Sequence, residues 1–402
     1  MTGGRRRRRA GRAAAFALVL AATAAAPSAA SAGDVRVHGL LDLVMAGKSE
    51  AAELNMLWKG DSRFDTYAAR LFIDGTVSDR VQVFTQLYAS EELAVRPMGA
   101  YAMIDPWIGK DVHVVAGLIP FLIGTYDAQS YSDKNPLVGI PMLYQHHTTL
   151  RWDQMPSSAD ALLAKAGTGY RGVNYTAGGP AFAGLPVVYQ HWWDFGVGVT
   201  GSVRPLEFAL GIENGTPSYP DPTRDQNSGK AIVGRLGLAP APAWRFGVSG
   251  AYGPYLVHNL ATPLPAGRRA EDYNQILAMA DAEWSSGHLS LRAEAYHNTW
   301  ETPALGDLEV RGAYAEAKVT LPAGLYAAGR YEVMRFSDLS DSTGLARPWD
   351  TEWDRGEAGL GYRASRGVIV KAVYQWNAAR ADFPGDHPER FDLLAGQLSV
   401  RF

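Results

Sequence analysis

A closed, up-and-down antiparallel β-barrel of about sixteen strands is the fold class this sequence predicts. Three observations predict it. Apolar and polar residues alternate along one segment after another, the connections between segments alternate in length, and a single long stretch interrupts the series. Alternation with period two places successive side chains on opposite faces of a strand, whereas a helix needs apolar residues at three- and four-residue spacing. In "AGQLSVRF", Leu394, Gly396, Leu398, Val400 and Phe402 share one face, while Leu393, Ala395, Gln397, Ser399 and Arg401 share the other.

The first 32 residues stand apart from that pattern. "RRRRRAGR" is a basic leader, "AAAFALVLAATAAA" a short apolar stretch, and "ASA" at Ala30–Ala32 a small-residue cleavage site. Such a stretch is shorter than the ~20 residues of a spanning helix, so the reading is an export signal removed from the mature chain; a single membrane anchor is the alternative. Paired arginines also permit a twin-arginine route, but no cofactor motif downstream calls for export in the folded state. Without this leader the chain loses six arginines and no acid, leaving 32 basic and 41 acidic residues and a formal charge of −9. That balance argues against a nucleic-acid partner. There is no cysteine, which excludes disulfides, thiol nucleophiles and cysteine-held metals. No run of 18 apolar residues follows Ala32, which excludes helical membrane spans.

Taken in order, strands are expected at 34–45, 63–75, 80–90, 97–105, 110–119, 192–204, 206–214, 229–239, 243–253, 273–285, 287–300, 309–321, 324–336, 352–364, 367–378 and 391–402. Two show the basis. In "HLSLRAEAYHN", Leu289, Leu291, Ala293 and Ala295 oppose Ser290, Arg292, Glu294 and Tyr296; in "VIVKAVYQWN", Val368, Val370, Ala372, Tyr374 and Trp376 oppose Lys371, Gln375 and Asn377. Short links such as "RP", "SSG", "LPAG" and "SRG" alternate with long ones such as "NGTPSYPDPTRDQNSGK" and "SDLSDSTGLARPWDTEW". A transmembrane barrel of the outer membrane has tight turns on the periplasmic side and long loops outside, and an even strand count puts both ends inside. Lipid is then the partner of the apolar face, and only a closed barrel can satisfy every backbone group there. Trp244, Tyr252, Trp284, Trp300, Tyr362, Trp376 and Phe402 suit the two interfacial girdles. Residues 120–190 break the series. They are read as a long inward-folded loop that narrows the pore, or as a region hiding one more hairpin, for eighteen strands. The remainder, 33–402, reads as a single domain.

Within that stretch, "AGLIPFLIGTYDAQSYSDKNPLVGIPMLYQHHTTLRW" looks like the pore-loop region of bacterial outer-membrane porins. The Gly117–Gly124 stretch, "GLIPFLIG", is similar to a segment of the phosphate-selective porin O/P superfamily. The resemblance implies a homotrimer of sixteen-stranded barrels in a Gram-negative outer membrane, passing small hydrophilic solutes and ions by passive diffusion. It also implies that Phe402 is the signal read by the barrel-insertion machinery. The clustered lysines and arginines of phosphate-selecting members are missing here: the stretch offers only Lys134, Arg151, Lys165 and Arg171, widely spaced. The resemblance therefore points to a porin rather than to phosphate.

The polar face carries nearly balanced charge. Its pore-lining candidates are Arg70, Arg235, Arg292, Glu294, Glu316, Lys318, Arg330, Glu332 and Lys371, with Arg70, Arg292, Arg330 and Lys371 as a basic strip. Opposite charges on adjacent strands also pair and stiffen a wall. Constriction-loop candidates are Tyr126, Asp127, Asp133 and Lys134. His146 and His147 are adjacent and face opposite ways on an extended chain, which suits a polar pair better than a chelate. His191, beside Trp192 and Trp193, reads as an interfacial entry to the next strand. "GVSGAYG" lacks the G-x-S-x-G pattern, and no zinc-protease, P-loop or dinucleotide motif occurs. "DPTRDQNSG" has alternate oxygen ligands but not the full calcium-loop spacing, so weak calcium binding in an outer loop stays open. The expectation is a porin with no cofactor, metal or enzymatic role. The alternative is an outer-membrane barrel without a channel: a lipid-modifying enzyme, an adhesin or a structural protein.

Overall fold

A computed structural model describes residues 33–47, 66–90, 95–107, 110–189, 193–222, 225–380 and 390–402. The leader at 1–32 and the pair His191–Trp192 lie outside these residues. Where side chains alternate, strands form: β1 (Val35–Ala46), β2 (Thr66–Ser78), β3 (Val81–Ser90), β4 (Arg96–Ile104), β5 (Val112–Ile119), β6 (Asp194–Val203), β7 (Leu206–Glu213), β8 (Ala231–Ala241) and β9 (Trp244–Pro254). They continue as β10 (Asn274–Ser286), β11 (Leu289–Thr302), β12 (Gly306–Thr320), β13 (Leu325–Phe336), β14 (Asp338–Ser340), β15 (Ala346–Pro348), β16 (Trp353–Arg363), β17 (Val368–Ala379) and β18 (Arg390–Arg401). Among the described residues sixteen strands close into one antiparallel barrel, while β14 and β15 form a separate ribbon in the connection between β13 and β16.

The seam between β1 and β18 runs to the end of the chain. Gly39 N–H donates to the Phe402 carbonyl at 2.7 Å, Phe402 N–H donates back at 3.1 Å, and the Phe402 ring lies over the face that Gly39 leaves bare. Connections at 79–80, 204–205, 242–243, 287–288, 321–324 and 364–367 are short, and they share one end of the barrel. The opposite end carries the connections at 214–230, 255–273 and 337–352. The link at 303–305 breaks that parity by being short.

Alternation sorts the faces as expected. Leu210, Ile232, Leu236 and Val248 point outward and are exposed; Asp281, Glu294, Arg330 and Lys371 point inward and are buried. No described helix is long and apolar enough to cross a membrane. The eighteen-strand alternative is not borne out, because among the described residues 120–189 add no strand to the ring, and an isolated bridge joins Val173 and Phe182.

Instead, the long stretch enters the lumen at two glycines. Gly117 has φ +127° where β5 passes so close to β4 that a Cβ would lie 2.4 Å from the Ala100 carbonyl; Gly124 has φ +61°, with Tyr144 and Glu294 in the space of a Cβ. Side chains are disfavoured at positive φ, which gives the "GLIPFLIG" stretch its flanking glycines. Residues 143–189 then fill the long-loop half of the lumen. A short helix, α1 (Ala159–Leu163), starts there with the Ser158 hydroxyl accepting from Ala161 N–H. Leu143, Leu150, Leu185 and Val187 join Trp300, Phe336, Trp349 and Trp353 in one apolar core. Asp350 clasps this core to the β15–β16 connection, accepting from the N–H groups of Thr149 and Gly167 at 2.7 Å each. Burial pushes the Asp350 carboxyl up to about 6.

Candidate functional site

The inner wall begins with charge pairing between strands. Period-two alternation brings Glu316, Arg330, Glu332 and Glu357 to the inner faces of β12, β13 and β16, where Glu316 is paired with Arg330 and Arg330 with Glu357. The Arg330 guanidinium reaches Glu357 at 2.8 Å, Glu332 at 3.0 Å and Glu316 at 3.2 Å. A planar fork with five donors can serve several carboxylates at once, and lysine could not replace it here. Neighbouring walls repeat the device: Arg235 holds Asp281 at 2.6 Å, Arg292 holds Glu283 at 3.4 Å, and Arg70 holds Asp42 at 3.2 Å.

Across this wall lie residues 124–142. Gly124 N–H donates to the Ser249 hydroxyl on β9 at 2.9 Å, and Thr125 N–H to Glu294 on β11 at 2.8 Å, where the Tyr144 hydroxyl also donates at 2.6 Å. Gly139 N–H donates to Glu357 at 2.9 Å and Met142 N–H to Glu332 at 2.6 Å. At the other side of the ring, the Tyr131 hydroxyl donates to Gln86 on β3, the Ser132 hydroxyl donates to Asp42 on β1, and Arg401 on β18 pairs with Asp133 at 2.7 Å. The stretch therefore crosses the lumen from wall to wall. At this level Asp42, Gln86, Glu294, Arg330, Glu357, Lys371 and Gln397 are all buried.

Below the crossing, toward the short turns, the lumen widens into a vestibule of about 1040 Å³. Its ionisable lining is Lys134, Arg204, Arg245, Arg292 and Lys318 against Glu207, Glu283 and Glu316. The Lys318 ammonium sits 4.8 Å above the Tyr326 ring, and no carboxylate pairs with it among the described residues.

The pore-lining candidates thus divide into groups. Arg292, Glu316 and Lys318 border the vestibule. Arg70 and Arg235 face inward, each held by a carboxylate. Glu294, Arg330, Glu332 and Lys371 lie beneath the crossing stretch, where they bond to it rather than to open lumen. Of the loop candidates, Lys134 reaches the vestibule and Asp133 the β18 wall. Asp127 opens a tight turn at Asp127–Gln129. Tyr126 faces no passage: it is fully buried, stacked 4.9 Å from the Tyr144 ring. His146 and His147 are both buried; His147 bonds the Gly184 carbonyl through Nδ1 at 2.5 Å, and His146 packs between Phe336 and Trp353. Sequence reasoning missed the backbone carbonyls of Ser132, Asn135 and Leu137, which hold Lys371. No side-chain pattern announces a carbonyl. Among the described residues no group of three metal-ligating side chains forms, and the calcium reading of "DPTRDQNSG" falls partly outside them.

A closed sixteen-stranded barrel with a charged inner wall and a long stretch folded inward is the architecture of porin-like outer-membrane barrels. Solved structures of that class superpose on this chain at low identity. OmpT, an outer membrane protein of Vibrio cholerae, aligns at 11% identity with a TM-score of 0.54, over 94% of this chain and 100% of its own. An anion-selective porin from Comamonas acidovorans aligns at 10% identity with a TM-score of 0.54, over 92% and 100%. OmpF of Salmonella typhi, solved with daunomycin, aligns at 11% identity with a TM-score of 0.55, over 92% and 98%. No protein-family model matches the sequence, and no curated protein does. The fold is porin-like, and the narrower phosphate-selective O/P superfamily is not supported.

One expectation is corrected here. The sequence reading assigned no enzymatic role, but the Vibrio cholerae protein, described only as an outer membrane protein, superposes as well as the anion-selective porin does. Likeness at 10–11% identity fixes the fold alone, so the barrel does not carry an exclusion of catalysis. One loop grouping does join a serine, a histidine and a carboxylate. His258 Nε2 meets Glu271 at 2.5 Å and the Ser228 hydroxyl at 3.4 Å, so both partners share one nitrogen, whereas a nucleophile relay uses the two ring nitrogens separately.

Proposed function

We propose that this chain is an outer-membrane channel of the porin type, passing small hydrophilic solutes and ions by diffusion through the barrel. The observation that carries the reading is the chemistry of the inner wall. Asp42, Glu294, Arg330, Glu332, Glu357 and Lys371 occupy its middle level. Packing such charges beneath a permanent plug is often no better, and sometimes worse by about 1–4 kcal/mol, than packing apolar side chains of similar volume. A lumen that fills with water keeps them hydrated. In this reading the described conformation is the closed one, and the vestibule is the water-filled approach. The first 32 residues act as the export signal, lipid covers the outer face, and Phe402 serves the insertion machinery. Assembly as a homotrimer follows the sequence resemblance, and one solved form of the Vibrio cholerae protein is a trimer.

Planar-bilayer recording of the mature chain tests this. Discrete ohmic steps are expected, more frequent when residues 124–142 are deleted, and steps in groups of three would support the trimer. With five basic and three acidic groups lining the vestibule, a salt gradient should give a reversal potential of the sign for anion preference. A folded barrel that stays silent even after the deletion would overturn the channel reading in favour of a non-channel barrel. The burial of the middle level is the observation that favours that second reading.

A further inference from the structure

The stretch that crosses the lumen is held in two unlike ways, and one of its turns stands out. Residues 131–137 face the contiguous strands β17, β18, β1, β2 and β3. On β17, the Lys371 ammonium donates to the Ser132 carbonyl at 2.5 Å, the Asn135 carbonyl at 2.7 Å, the Leu137 carbonyl at 3.1 Å and Gln397 Oε1 at 2.9 Å. No carboxylate pairs with this ammonium among the described residues, although it is only 2% exposed. Three of its four hydrogen-bond contacts are thus to the backbone of the turn.

Resting on the channel reading above, we infer that residues 131–136 form a movable gate over this sector of the lumen, hinged at Leu137, whose side chain stays buried in the apolar core, and that Lys371 is its latch. When the turn leaves, Lys371, Asp42 and Arg401 enter water, and the carbonyls they held become hydrated as well. Charged groups and carbonyls lose little by trading each other for water, because a net hydrogen bond of this kind is worth only a few kcal/mol at most. The wall keeps its form meanwhile. Arg70 still holds Asp42, and Arg330 still holds its three glutamates. Residues 143–189 need not move, since they are stitched elsewhere: Tyr189 N–H to the Pro217 carbonyl at 2.7 Å, Gln275 to the Val187 carbonyl at 2.9 Å, and Val257 N–H to the Trp152 carbonyl at 3.2 Å.

The absence of cysteine makes the test clean. In the full mature chain carrying Asp42→Cys and Ser132→Cys, a short thiol-bridging reagent should tie the turn to β1, and reduction should release it. The bridged protein should be silent in the bilayer and the reduced protein should conduct. Separately, Lys371→Met removes every hydrogen bond from the ammonium to the turn and should raise the open probability about tenfold or more. Circular dichroism and heat-modifiable migration establish that this variant is folded; if it is not, the bridged pair decides alone. Equal conductance of the bridged and reduced forms would overturn the gate and leave the channel reading standing. Silence of every form, including the chain lacking 124–142, would instead overturn the channel reading on which the gate rests.

Discussion

The turn at 131–137 and the core at 143–189 belong to one continuous stretch, yet they meet the barrel in opposite ways. Apart from Leu137 at its end, whose side chain is fully buried in the apolar core, the turn offers backbone carbonyls and short polar side chains to charged groups on the wall. The core offers Leu143, Leu150, Leu185 and Val187 to tryptophans and a phenylalanine. Water can replace the first kind of contact almost one for one. It cannot replace the second, where each large apolar side chain contributes about 1.5–3 kcal/mol by leaving water. The difference teaches that proximity in sequence does not imply shared mobility: the polar attachment is the releasable one.

The largest test of this contrast lies in the core. Trp349 is fully buried, with its ring centroid 4.8 Å from that of Phe336 and its indole N–H donating to the Glu309 carbonyl. Trp349→Ala should cost about 3–5 kcal/mol, read by denaturant unfolding in detergent with circular dichroism. A loss below 1 kcal/mol would mean that the core is not a cohesive unit.

A smaller effect is expected from His146. Burial, with Arg355 and His147 nearby, lowers its pKa to about 3 from an ordinary 6.5. A folded pKa below the unfolded one gives stability that is present above about 6.5 and is lost as pH falls toward 3. Between pH 6.5 and 5 the loss is about 2 kcal/mol, at ~1.36 kcal/mol per pH unit. Asp350 titrates with the opposite sense, so the comparison is with His146→Gln, in which the acid-induced loss should shrink by about that amount. An unchanged pH profile would show that His146 gains access to water.

The smallest stability change belongs to the turn. Ser132→Ala removes one hydrogen bond to Asp42, which Arg70 still holds, and should cost about 1.5 kcal/mol. Its channel open time should lengthen all the same. A loss as large as that of Trp349→Ala would erase the distinction between the two regions.

Much of this was legible in the sequence. Each of the sixteen expected strands forms, because alternation, turn residues and loop parity report the same local fact three times. The inward stretch was legible as an interruption, and Gly117 and Gly124 mark where it leaves the wall. Charges on the inner face were legible by parity, including Arg330 and Lys371. Their partners were not, because pairing depends on which strands are neighbours and on how far a side chain leans. Tyr126 shows the limit: a tyrosine within a constriction stretch reads as lining, yet stacking on Tyr144 turns it away from any passage. The carbonyls around Lys371 left no trace at all, since every residue has one.

The crossing from Ser249 on β9 to Asp42 on β1 joins strands eight places apart in a ring of sixteen. Mechanically it is a spoke. A hollow ring under sideways compression yields by becoming oval, and a member spanning its diameter resists that change of shape. Opening the proposed gate at residues 131–136 would cut the spoke at one end, making the open form the softer one, so that squeezing from a surrounding bilayer would act on the two forms unequally.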